Sequence, residues 1–92
     1  MPKTYKNVFE ATEKDGALAH NLYIRGQLMM RVKKYIADKN LTQKQAADLL
    51  GVAQPRISDL VRGKIDLFTI DMLVNMLARA EIFVEINLKD AA

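Results

Sequence analysis

Between Leu41 and Gly63 the chain reads LTQKQAADLLGVAQPRISDLVRG, and its punctuation leaves room for only two short helices. Thr42 and Gln45 form a Thr-x-x-Gln capping box, in which hydroxyl and amide each satisfy a free N–H group at a helix start. Gly51 suits the left-handed conformation that closes a helix. Pro55 has no N–H to give and is tolerated only in a first turn, so the next helix begins close to Ala53 or Gln54. Gly63 ends it. Ala46, Ala47, Leu50, Val52, Ile57, Leu60 and Val61 are the inward-looking positions. Their spacing predicts two helices crossing steeply, with Ala47 and Gly51 where the backbones come close.

Taking Ile57 as the centre of the buried face and stepping about 100° per residue places Pro55, Ser58, Asp59 and Arg62 opposite, with Arg56 at the flank. A short anchored helix that turns Gln54, Arg56, Ser58 and Arg62 outward carries the chemistry for base edges in a major groove. Glutamine pairs bidentately with adenine, and arginine with guanine.

The flanking segments supply a scaffold. From about Asp15 to Lys39, Leu18, Leu22, Leu28, Val32, Tyr35 and Ile36 mostly recur at helical spacing. This predicts a long first helix or two abutting ones, with Gly26 as the weak point and Met29 and Met30 as core fillers. Thr69 as N-cap and Asp71 behind it predict another helix over 69–80, with Ile70, Leu73, Val74 and Leu77 on one stripe. After Ala80 the period changes. In EIFVEINLK, Ile82, Val84, Ile86 and Leu88 alternate with Phe83, Glu85, Asn87 and Lys89, the pattern of a strand over 82–88. A lone strand leaves its ladder groups unpaired; the same strand of a second copy is the simplest partner, antiparallel and isologous. The segment TYKNVF of the same chain is the other candidate.

The expected fold is therefore mainly α, one domain over 1–92. It comprises a first helix region at 15–39, a helix-turn-helix at 42–63, a further helix at 69–80, and a strand at 82–88 that dimerises through Ile82, Phe83, Val84, Ile86 and Leu88. Ninety-two residues suffice for a single core. With no cysteine and one histidine, His20, a disulfide framework, a thiol nucleophile and a zinc centre are excluded. No Ser/His/Asp set or phosphate-cradling glycine loop is present, Asp38, Asp48 and Asp66 read as solvated helix-end charges, and His20 as a surface residue, so an enzyme is the least expected class and no cofactor or metal is expected. The absence of a long apolar run predicts a soluble, cytoplasmic protein with no membrane partner.

Charge is distributed unevenly. The net charge is +3, but residues 31–64 carry eight Lys/Arg against three Asp/Glu, and residues 65–92 two against five. A basic middle and an acidic end predict a polyanion on one side and a different partner on the other.

TQKQAADLLGVAQPRISDLVRG resembles the helix-turn-helix of the lambda-repressor/Cro-like (XRE) family, with Gln43, Ala47, Gly51, Val52, Ile57 and Leu60 at the positions that motif expects. NVFEA, QPRISDLVRGKID and EIFVEI extend the resemblance, over residues 7 to 86, to the subgroup of HigA-type antitoxins and their solitary relatives. The resemblance implies a lambda-repressor-like bundle of four to five helices acting as a dimeric, sequence-specific repressor on palindromic double-stranded DNA. It implies Gln54 at the mouth of the groove, Gln43 supporting it or touching the backbone, and base contacts from Pro55, Arg56, Ser58 and Asp59. Asp59 has the alternative of an i, i+3 pair with Arg56 or Arg62. Lys44, Arg62 and Lys64 would serve phosphates. The second reading it implies is an antitoxin that neutralises a ribonuclease toxin and represses its own operon. Ala53 departs from the serine N-cap common among relatives, and Met72 and Met76 enrich the fourth helix in methionine.

Overall fold

The computed structural model describes residues 13–91. Among them are four α-helices, α1 (Glu13–Asp38), α2 (Gln43–Leu50), α3 (Gln54–Val61) and α4 (Ile70–Arg79), with a 3-10 turn at Ile65–Leu67 between α3 and α4. Helix α1 runs unbroken for 26 residues, about 39 Å at the usual rise. It continues through Gly26, whose roughly 1 kcal/mol propensity cost is small beside the burial of Met29 and Val32 just beyond it. Met30, expected in the core, is 70% exposed. One step along a helix is about 100° around it, so two adjacent methionines cannot share a narrow buried stripe.

All four helices close in the same way. A residue with positive φ follows each: Asn40 (56°), Gly51 (75°), Gly63 (73°) and Glu81 (61°). The next N–H then reaches back over the last turn, from Leu41 to the Ile36 carbonyl, Val52 to Ala47, Lys64 to Asp59 and Ile82 to Leu77, at 2.9–3.1 Å. These bonds satisfy carbonyls that a helix end leaves free and turn the chain sharply. At three of the ends the residue so placed is apolar: Leu41, Val52 and Ile82 all pack against the core. Lys64 is the exception and stays exposed.

The core gathers Met29 and Val32 from α1, Ala46, Ala47 and Leu50 from α2, Ile57 and Leu60 from α3, Phe68 from the connection, and Leu73, Met76 and Leu77 from α4. The α4 stripe is rotated from the expected one, because Met76 is buried while Ile70 and Val74 are only partly so. Val61, expected inside, is 40% exposed.

No strand forms at 82–88 within the single chain: residues 82–90 have no regular secondary structure. Ile82 packs against the core and closes α4, its N–H already spent on the Leu77 carbonyl. The rest of the expected strand projects its apolar side chains into solvent, with Phe83 72%, Val84 40%, Ile86 79% and Leu88 87% exposed. TYKNVF and NVFEA lie outside the described residues.

Glu81 bears a conformation that costs an L-residue about 1–2 kcal/mol and glycine almost nothing. After the added chain entropy of glycine, Glu81→Gly is expected to gain about 0.5–1 kcal/mol. The check is urea unfolding, with a higher midpoint at unchanged slope. A lower midpoint would mean that the Glu81 side chain contributes something the left-handed turn does not explain.

Candidate nucleic-acid interface

The start of α2 is built as its sequence implies. Thr42 Oγ1 accepts from the Gln45 N–H at 3.1 Å, and Gln45 Oε1 accepts from the Thr42 N–H at 2.9 Å. This reciprocal cap commits Gln45 and leaves Gln43 and Lys44, in the same first turn, exposed. Lys44 lies 3.8 Å from Asp48, both side chains about three-quarters exposed. A surface pair of that kind is worth a few tenths of a kcal/mol, so the ammonium exchanges it readily for another anion.

The turn into α3 is tight. Gly51 closes α2 with its N–H on the Ala47 carbonyl at 2.9 Å, and a Cβ there would fall 2.3 Å from Arg79 Nε. Ala53 caps α3 without a side-chain bond, as the departure from serine implies. Pro55 removes one of the free donors, and the Arg56 N–H donates to the Ala53 carbonyl at 2.9 Å, so the missing hydroxyl leaves little unsatisfied.

Helix α3 is pinned by Ile57 and Leu60, both wholly buried. The centre of its buried face lies between them rather than on Ile57, a rotation of about 30° from the sequence-based wheel. That rotation carries Val61 outward and draws Arg56 inward. Gln54, Pro55 and Arg62 are exposed, whereas Arg56, Ser58 and Asp59 are half-buried. Arg56 Nη1 donates to the Leu67 carbonyl at 3.2 Å, and its guanidinium carbon stands 5.6 Å from the Phe68 ring centre. Asp59 pairs with neither Arg56 nor Arg62; the ion pairs among the described residues are Lys34–Asp38 and Lys44–Asp48.

Two residues that sequence reasoning passed over hold the connection behind α3. Phe68, 1% exposed, precedes the Thr69 N-cap, and Leu73, the fourth residue of α4, is likewise buried. An apolar residue before the cap and another at the fourth helical position form a hydrophobic staple, a signal that was available in the sequence. Arg25 on α1 donates from Nη1 to the carbonyls of Ile65 and Phe68 at 3.3 and 3.1 Å, and from Nε to Asn21 Oδ1 at 2.7 Å. Its partners are 40 and 43 residues away, so no local pattern announced it.

Elsewhere the charges are solvated. Lys34 Nζ donates to Asp38 at 2.6 Å, and that hydrogen bond chiefly holds the Asp38 carboxyl below its ordinary range. Asp48 and Asp66 are exposed, as is His20, whose ring lies 6.4 Å from that of Tyr23. Arg31, Lys33, Lys39, Arg62 and Lys64 form no ion pair among the described residues. Those residues include no His/Cys/Asp/Glu group that could hold a metal ion, and no helix long and apolar enough to cross a membrane.

A family model described as a helix-turn-helix domain matches residues 13–89. No curated protein matches the chain.

Since the Thr42–Gln45 cap aims the first turn of α2, Thr42→Ala is expected to cost about 1 kcal/mol of stability. Amide exchange should show the Gln45 N–H losing protection ahead of the core. Equal protection in parent and variant would mean that the cap does not hold this turn.

Proposed function

The chain belongs to the helix-turn-helix domain family, and on that premise we propose that it is a sequence-specific DNA-binding transcriptional repressor, working as a homodimer in the cytoplasm on palindromic double-stranded DNA. One observation carries this reading. The eight-residue helix α3 is held by the wholly buried Ile57 and Leu60, yet Gln54 and Pro55 at its start are exposed, with exposed Lys44 on α2 and exposed Arg62 and Lys64 just beyond α3. A rigid helix with a polar leading end between cations is suited to enter a major groove while its flanks meet phosphates.

In this reading Gln54 pairs with adenine, Pro55 packs on a thymine methyl, and Ser58 reaches a base edge from the flank. Asp59, half-buried and without a cationic partner among the described residues, accepts from cytosine where the groove brings one within reach. Gln43 supports Gln54 or touches the backbone, while Lys44, Arg62 and Lys64 neutralise phosphates. The chain is a binding module without catalysis, metal or cofactor.

The dimer rests on Phe83, Val84, Ile86 and Leu88. These side chains are 40–87% exposed, and the segment lies outside any helix or strand of the single chain, so its backbone groups could form a ladder with a second copy. Two copies related by a two-fold axis would present two recognition helices about 34–36 Å apart, one turn of DNA. The second reading, a HigA-type antitoxin, draws on the exposed acids Asp66, Asp71, Glu81 and Glu85 of the last third, which suit a basic protein such as a ribonuclease toxin.

Ala substitutions are expected to fall into two classes. Gln54→Ala should lose about 1–3 kcal/mol against the operator and little against random DNA. Lys44→Ala should weaken both alike and lower the slope of log affinity against log salt by about one. If the two variants behave identically over a salt series on both DNAs, α3 does not lie in the groove. For the dimer, Ile86→Glu is expected to sediment as a monomer with unchanged helical circular dichroism. A variant that stays dimeric would place the interface elsewhere.

A further inference from the structure

Arg56 does not share the freedom of the residues just before it. Gln54 and Pro55 are exposed, whereas Arg56 lies half-buried against the Leu67 carbonyl and the Phe68 ring. Phe68 is fixed in the core, and Arg25 reaches the carbonyls of Ile65 and Phe68 from α1. Two guanidinium groups from different helices therefore hold three carbonyls of one short connection. A planar fork of five donors suits that task, and the point charge of a lysine does not.

Lys64 is suspended at the head of this connection. Its N–H donates to the Asp59 carbonyl at 3.0 Å, and its carbonyl accepts from the Leu67 N–H at 3.1 Å. One side of Lys64 is thus tied to the end of α3 and the other to the turn that Arg56 grips through Leu67. The Lys64 side chain is exposed and forms no ion pair among the described residues. For Arg56 to reach a guanine it would have to leave both the carbonyl and the aromatic face, releasing the turn that aims Lys64.

We propose that Arg56 is a positioning residue: it ties the α3–α4 connection to α3 and so sets where Lys64 meets the DNA backbone, leaving base reading to the other outward residues of α3. This rests on the helix-in-groove reading above and assigns a different task to the one arginine inside α3. Arg56 contributes affinity that is blind to sequence.

The test uses the full chain with two duplexes, one selected from a random pool and one of random sequence, over a salt series. Every base pair of the selected duplex is also substituted in turn. Arg56→Met, Arg56→Lys, Lys64→Ala and Arg56→Met/Lys64→Ala are compared, with Gln54→Ala as the reference for a base contact. Arg56→Met is expected to weaken binding to both duplexes by the same factor, to lower the salt slope by about one, and to leave the base-preference profile unchanged. Added to Lys64→Ala it should change nothing further, and Arg56→Lys should behave as Arg56→Met does. Phe68→Leu removes the aromatic seat while keeping Arg56 and is expected to lower the slope in the same way. Circular dichroism of each variant over the same salt series gives the folded fraction by which its affinity is corrected, so loss of stability does not imitate a lowered slope.

Loss confined to the selected duplex, with preference relaxed at one base pair, would make Arg56 a base reader and overturn the proposal. A slope lowered by about two in the double variant would make Arg56 an independent phosphate contact and overturn it equally. If Gln54→Ala leaves the profile intact while Arg56 and Lys64 remain coupled, the groove placement fails and the positioning role stands.

Discussion

The left-handed turn at Gly51 is the constraint on which the direction of every outward side chain of α3 depends. Its φ of 75° lets the Val52 N–H fold back onto Ala47, and the missing Cβ leaves room for Arg79 from α4. Helices α2 and α3 can then meet through Ala46, Ala47 and Leu50 on one side and Ile57 and Leu60 on the other. Small residues on α2 allow the close approach, and branched residues on α3 fill the space that remains. Once that angle is set, α1 and α4 complete the core through Val32, Met29, Leu73, Met76 and Leu77.

The polar residues around this core divide into those spent on the fold and those left free. Thr42 and Gln45 are consumed by a reciprocal cap, Arg25 by two carbonyls, and Arg56 by a carbonyl and a ring. Gln43, Gln54, Arg62 and Lys64 have exposed side chains, and Lys44 has only a loose surface pair. The distinction does not follow residue type, since glutamine and arginine occur in both groups. It follows whether a side chain finds backbone groups that no helix partner satisfies: the exposed helix start at Thr42 and Gln45, the exposed Leu67 carbonyl, and the part-buried Ile65 and Phe68 carbonyls.

The C-terminal segment has a different character. Ile82 is drawn against the core by the closure of α4, and beyond it the apolar side chains are exposed, Val84 least and Leu88 most. This places a boundary between Ile82 and Phe83: on one side the apolar side chains pack within the single chain, and on the other Phe83, Val84, Ile86 and Leu88 stand 40–87% exposed. Acidic residues lie among and before these side chains, with Asp71, Glu81 and Glu85 all exposed.

How far all this was legible differs from element to element. The capping box, Gly51, Pro55 and Gly63 marked the ends of α2 and α3 because each acts through backbone chemistry within a few residues of itself. The burial of Ile57 and Leu60 followed from helical period alone. What local pattern does not supply is the origin of the helical wheel, which belongs to whatever the helix packs against. Hence Met30 and Val61 turned out exposed, Met76 joined the core, and Arg56 turned toward Phe68. Arg25 was hidden for a related reason: its partners are carbonyls 40 and 43 residues away, and carbonyls carry no sequence signature. Glu81 took a left-handed conformation that its residue type disfavours, because the return of Ile82 to the core required it. The sequence by itself determined where these helices begin and end and which residues are able to be buried. Tertiary structure decided which way each helix faces, and with it which polar side chains remain free, because rotation about a helix axis is set by its neighbours and not by its own period.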